Sequence, residues 1–386
     1  MKTLALIIIV LATLTVKSQT YPSYGAEIGV TINGLTFDAM EPFISPGGST
    51  LFFNNLNSGV NTKLFYATKI NDSTFNYVGE LNGTNQLIPP YLDGVADLDS
   101  LDNFYWTSTR NYGAELETLF HGNYSNGNVT NIGRVHGDFN KNIPGWLVMD
   151  HGISYDGQIL YYNNARLDQN NCQGPCETEL GIAQKVNDST FNQLPNSTVI
   201  LQNINDTNFI YYAPFISSDN LELYYTRYPR DSVTLNTLFE ICVAVRNTPT
   251  APFSVPNVLF SELIANIIEA PTLTTDKQIM YYHKKVGGTH KIEMRYRDNP
   301  VSIPSVVLTE SSLVIYPNPA TKNLTIQSQS KIGNIKIYNV FGKLVKTIFG
   351  NKTFYKTINI VDLSSGGYVV NVTTAIGNSK LKFIKE

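Results

Sequence analysis

The chain has 386 residues and a formal net charge of −3, with 15% charged residues, 11% aromatic residues and 23 tyrosines. That balance suits half-buried strands and polar turns rather than helices, and the length allows one large domain and one small one. Charge is unevenly divided: residues 19–310 hold 16 Lys/Arg against 29 Asp/Glu, residues 311–386 hold 10 Lys against 2 acids. The break marks a domain boundary, and the acidic first part argues against nucleic acid as a partner, because phosphate binding needs a basic face.

Residues 1–18 place Lys2 before an apolar run from Leu4 to Leu14, followed by Val16-Lys17-Ser18. This is the pattern of a secretory signal peptide cut before Gln19, and the run is shorter than the ~20 residues of a membrane span. No other stretch is apolar enough to cross a bilayer, so the mature chain is expected to have no membrane span. Glu27–Ile32 alternates like a strand but belongs to no repeat. It is expected to complete the last repeat, which lacks a fourth strand of its own, and so to protect an open sheet edge.

A repeat then governs the chain. Polar turns feed short aromatic strands whose last aromatics are Phe53, Trp106, Tyr162, Tyr225 and Tyr282, so five β units are expected at a near-constant spacing. In the first unit the inner strand is Met40–Ser45, the second Thr50–Asn54, the third Lys63–Ile70 and the outer Tyr77–Leu81. Third strands of later units are expected at Leu119–Tyr124, Glu179–Val186, Leu238–Arg246 and Lys291–Arg297. No helical periodicity appears, so the fold class is all-β.

The first copy, Glu41-Pro42-Phe43-Ile44-Ser45-Pro46-Gly47-Gly48-Ser49-Thr50-Leu51-Phe52-Phe53, resembles the repeat of TolB-like (WD40-like) β-propellers. Fainter forms recur at Ser154-Tyr155-Asp156-Gly157, at Ser217-Ser218-Asp219-Asn220 and at Thr274-Thr275-Asp276-Lys277. The resemblance implies a five-bladed propeller over residues 19–300. It implies no activity, since propellers host many unrelated functions.

A linker over residues 301–311 separates this domain from residues 312–386, whose short strands and Gly, Asn and Ser turns predict a small Ig-like β-sandwich. Tyr316-Pro317-Asn318-Pro319, Ile337-Tyr338-Asn339-Val340-Phe341-Gly342-Lys343, Leu363-Ser364-Ser365-Gly366-Gly367-Tyr368 and the basic last strand resemble the type A C-terminal sorting domain of the type IX secretion system of Bacteroidota. The resemblance implies that the type IX machinery is a partner through residues 312–386. It also implies that the protein is exported from a Gram-negative cell, to the surface or the medium, and that the tail is cut off afterwards. Asp72-Ser73-Thr74, Asp188-Ser189-Thr190 and Asp231-Ser232-Val233 look like the O-glycan acceptor triplet of the same bacteria.

Candidate chemistry lies at the start of the inner strands, which carry Glu41, Asp93, Asp150 and Glu269, with Tyr212 in the fourth copy. In a propeller these ends surround the central channel, and carboxylates ~5–10 Å apart are what glycoside hydrolysis uses. The plainer reading is that they bind backbone donors or solvent. Asp97-Leu98-Asp99-Ser100-Leu101-Asp102 gathers acids but lacks the loop pattern of a Ca²⁺ site, so no metal is expected. Cys172 and Cys176 flank Gln173-Gly174-Pro175, which allows a local disulfide in an exported protein; Cys242 sits in an apolar strand as a buried thiol. No nucleophile-elbow, zinc-protease or cofactor motif is present. The first reading is therefore a surface or secreted binding module for an extracellular glycan or protein. The alternative is a glycoside hydrolase-like enzyme using the channel carboxylates.

Overall fold

An aromatic doublet on the second strand of each repeat explains how the sheets are joined. Successive side chains of a strand point to opposite faces, so one ring of each pair meets the preceding sheet and the other meets the following one. Phe53 packs with Tyr281 of the fifth sheet, while Phe52 packs with Phe104 and Trp106 of the second. Tyr105 and Tyr162 share the next cluster, Tyr161 and Tyr225 the one after, and Tyr224 and Tyr282 the last. All ten rings are at most 2% exposed. At ~1.5–3 kcal/mol for each fully buried large apolar side chain, these interfaces are the main source of cohesion.

The computed structural model describes residues 20–58, 60–89, 91–168, 172, 174–230, 233–298, 313–328, 330–340, 343–349, 353–374 and 377–386. The expected signal peptide (1–18), the linker (301–311), Asp231-Ser232 of the third triplet and Phe341-Gly342 of the sorting motif lie outside these residues. The chain divides into two units, Met1–Pro300 and Val301–Glu386.

Each sheet of the first unit is built on an antiparallel meander, and Asn61–Thr62 adds to the second sheet by pairing parallel with Tyr91–Leu98. The first runs Met40–Ile44, Thr50–Asn54, Leu64–Asn71 and Thr74–Glu80, and the other inner strands are Tyr91–Leu98, Trp146–Ile153, Phe209–Ile216 and Ile268–Leu273. Each inner strand packs against the inner strand of the next sheet, and the fifth packs against the first, which closes a propeller-like circuit. The turn after each inner strand is fixed by a hydroxyl: Ser45, Ser154, Ser217 and Thr274 accept the amide hydrogens of Thr50, Ile159, Glu222 and Ile279. Asp99 does this work in the second sheet, accepting from the amides of Leu101 and Asn103. Asp97 accepts from the amides of Leu98 and Ile153 at 2.7 Å each. These acids therefore shape the strand and its turn, and among the described residues no group of three acidic, His or Cys side chains is arranged to hold a metal ion.

The N-terminal segment joins the ends of the circuit. Ile28–Gly29 pairs antiparallel with Thr289–Tyr296 of the fifth sheet, and Thr31–Asn33 pairs parallel with Thr74–Glu80 of the first. Helix is confined among the described residues to Ser197–Ile200 and a 3₁₀ turn, Ile264–Asn266.

The second unit contains a three-stranded and a four-stranded sheet. Leu324, Ile326 and Ile358 of one meet Ile335, Ile337, Val370, Val372 and Phe383 of the other in a single apolar core.

Candidate functional site

The inner strands carry the site because of a bulge near their start. Pairing with the second strand places Met40, Gly94, Asp150, Tyr212 and Glu269 opposite Asn54, Thr107, Asn163, Thr226 and His283. In four sheets the following residue takes a left-handed conformation: Glu41 (φ 49°), Val95 (φ 55°), Ala213 (φ 49°) and Ala270 (φ 55°). Non-glycine residues rarely adopt this conformation, and bulges of this kind re-aim a side chain at the end of a strand. In the first sheet that residue is Glu41, and the bulge turns its carboxyl toward the same cavity as Asp150 and Glu269.

The cavity measures ≈ 530 Å³, within the ordinary range for a small-molecule site. Glu41, Asp150, Glu269 and Tyr212 line it, with Asn57, Ser58, Thr107 and Thr109 as further polar groups. Gly174 and Pro175 also line it; they belong to the loop closed by the Cys172–Cys176 disulfide. Asp93 does not. It stands one residue before the ring position, so strand alternation turns it away. There it is fully buried, pairs with Arg110 at 2.9 Å and accepts the Gln86 amide hydrogen at 2.8 Å.

Three carboxyl groups in one place differ in their surroundings. Glu269 has both oxygens engaged: the Tyr212 hydroxyl donates to Oε2, and His283 Nε2 lies 2.7 Å from Oε1. That second contact is too oblique to be a full hydrogen bond. His283 Nδ1 accepts the Glu41 amide hydrogen at 2.9 Å, so the ring presents its Nε2–H side to Glu269. Burial pushes the Glu269 carboxyl up, but His283 and Tyr212 outweigh it and hold the group below the usual carboxylate range.

Glu41 and Asp150 go the other way. Glu41 accepts from Asn57 Nδ2 at 2.7 Å through Oε1, while Oε2 is buried without a hydrogen-bond partner among the described residues. Burial and then the negative Glu269 push Glu41 up to about 7. Asp150 Oδ2 is likewise buried and unpartnered. Burial, followed by the charges of Glu41 and Glu269, raises Asp150 well above its ordinary value, with only the Ala213 amide opposing. The arrangement thus favours the ionised form of Glu269 and the protonated forms of Glu41 and Asp150. Such a division is how neighbouring acids take separate acid and base roles.

Sequence reasoning named Glu41, Asp150 and Glu269, and the structure brings these three together. It passed over His283 and Asn57. His283 follows the aromatic doublet of the fifth repeat, where the other repeats have Asn54, Thr107, Asn163 and Thr226. Aligning that position across the copies would have shown it facing the inner strand. Of the other histidines, His136 meets Glu117 at 2.6 Å in an exposed position, and His151 is fully buried, where desolvation pushes it down to about 3.

Residues 314–386 match the family described as the secretion system C-terminal sorting domain. Such a domain implies handling by the type IX secretion system and export toward the cell surface or the extracellular space. No curated protein matches the chain. Similar solved structures include a thermostable family-43 glycoside hydrolase (12% identity, TM-score 0.43, covering 69% of this chain and 92% of that one). An endo-arabinase from Bacteroides thetaiotaomicron VPI-5482 is similar at 13% identity and TM-score 0.43, covering 69% and 96%. A luciferin-regenerating enzyme is similar at 10% identity and TM-score 0.38, covering 72% and 95%. Likeness at this level carries no assignment of chemistry.

Proposed function

We propose that the chain is an exported glycoside hydrolase, a five-bladed β-propeller whose channel mouth is the active site. A type A sorting domain, folded as a β-sandwich, would deliver it and then be removed. The observation that carries the reading is the convergence of Glu41, Asp150 and Glu269 on one cavity, with an unpartnered oxygen on each of the first two. Burying such oxygens without partners is costly unless they serve a bound molecule or a reaction.

In this scheme Asp150, held protonated, gives its proton to the leaving oxygen of the glycosidic bond. Glu41, once ionised, takes a proton from the attacking water or attacks the anomeric carbon itself. Glu269 stays charged and sets the other two apart. The binding-module reading uses the same cavity without turnover. The hydrolase reading is preferred because a simple binding surface needs no such division of proton affinities.

The test is turnover of a panel of natural oligosaccharides and simple glycosides by the purified chain, alongside Glu41→Gln and Asp150→Asn. Loss of kcat/KM by roughly 10²–10⁴-fold in each variant is expected for groups that transfer protons. Ligand binding with no turnover on any member of the panel would leave a binding module.

A further inference from the structure

The cavity is poor in the groups that recognise a polysaccharide. Among the described residues, its polar lining outside the carboxyl groups and Tyr212 is Asn57, Ser58, Thr107, Thr109 and Tyr228, and Asn57 already gives a hydrogen to Glu41. Among the described residues no Lys, Arg or His lines it. The remaining wall is apolar: Leu92, Leu147, Met149, Phe239 and Ile267 face the cavity. Met149, Phe239 and Ile267 also belong to one packed cluster with Tyr212 and Tyr228. The Phe239 and Tyr228 rings lie 4.6 Å apart between centroids, tilted by 31°. Sugars expose a hydroxyl on nearly every carbon, and hydroxyls buried against such a wall would lose their partners.

We propose that the cavity accepts a single uncharged sugar against the carboxyl groups and an apolar leaving group, alkyl or aryl, against the wall of Leu147, Met149, Phe239 and Ile267. The inference rests on the hydrolase reading for the word "leaving group" but not for the binding preference. Acidic sugars are disfavoured by like charge: Glu269 is held in its ionised form, and His283, 2.7 Å from it, is already engaged there. The interior of a long glycan is excluded because neighbouring sugar units would meet the apolar wall.

Binding and turnover are measured separately. Calorimetry on full-length Asp150→Asn uses methyl, butyl and heptyl glycosides of glucose, galactose and xylose, below their micelle concentrations, beside a matched disaccharide and a matched heptyl glucuronide. Affinity is expected to rise with chain length by up to roughly fourfold per buried methylene. The disaccharide and the glucuronide are expected to bind at least tenfold more weakly than the heptyl glycoside. The chain-length gain is expected to shrink in Met149→Gln, a half-buried position chosen so that the fold is kept, and further in Phe239→Asn. A flat response to chain length, no binding by any alkyl glycoside, or a disaccharide or glucuronide that binds as tightly, overturns the inference. Turnover of the same compounds by the wild type decides the hydrolase reading independently: chain-length dependence without hydrolysis refutes that reading and leaves this one standing.

Discussion

Glu41 is where stability and the proposed chemistry pull in opposite directions. Its carboxyl rises from 4.5 to about 7 on folding, so it favours the folded state below pH 4.5 and that contribution is lost as pH climbs through 7. Glu41→Gln should therefore be as stable as the wild type at pH 4 and more stable at pH 8, by on the order of 2–3 kcal/mol, read from urea unfolding at both values. The same variant should lose turnover, so a gain in stability accompanies the loss of function. The charge on Glu269 helps hold Glu41 up; Glu269→Gln should move the acid limb of the pH–rate profile below about 7. An unmoved limb would show that Glu41 is not the group titrating. His151 titrates the opposite way, since its folded value near 3 lies below the ordinary 6.5. Stability from His151 is present above pH 6.5 and falls away as pH drops, and His151→Asn should flatten that decline. Glu41 and Glu269 were visible in the sequence as acids at the start of inner strands, but the exclusion of Asp93 from the cavity was not. A shift of one residue decides which face a strand side chain takes, and only the bulge shows where the count slips.

At the scale of elements, the repeat made the second strand of the first sheet readable to the residue: Thr50–Asn54 has the expected bounds. Third strands differed from expectation at their ends, longer at Glu177–Asn187 and shorter at Leu238–Val245, because polar ends of a strand give no apolar signal once they reach solvent. The closing role of the N-terminal segment followed from counting strands, but its double attachment did not, since the parallel pairing of Thr31–Asn33 leaves no mark in composition. Glu27 anchors this closure: it accepts from the Tyr282 hydroxyl at 2.6 Å and pairs with Lys284 at 3.0 Å and Arg295 at 3.3 Å. Burial pushes its carboxyl up, but Tyr282, Lys284 and Arg295 prevail and lower it. Its contribution is thus present above pH 4.5 and lost as pH falls. Glu27→Ala should cost about 1–2 kcal/mol near neutrality, allowing for partial exposure, and less in acid. Equal losses at pH 7 and pH 3.5 would contradict the ion-pair account.

Taken whole, the molecule has two cores that share no residue, one set of clusters for the sheets before residue 300 and one for the tail. A chain ending at residue 300 should keep the turnover of the full protein while failing to leave the cell, measured by activity in purified material and by fractionation of the producing bacterium. Activity lost with the tail would overturn the division of labour. The acidic groups nearest the proposed chemistry come from strands 228 residues apart, Glu41 and Glu269. Because Ile28–Gly29 must wait for Thr289–Tyr296, ribosomes halted anywhere short of the fifth sheet carry a horseshoe with a gap, in which the acids have no common hollow to face. Under the hydrolase reading, fragments that lack the fifth sheet are for that reason expected to show no turnover. Competence arrives in one event, when the oldest segment of the polypeptide clasps the youngest sheet.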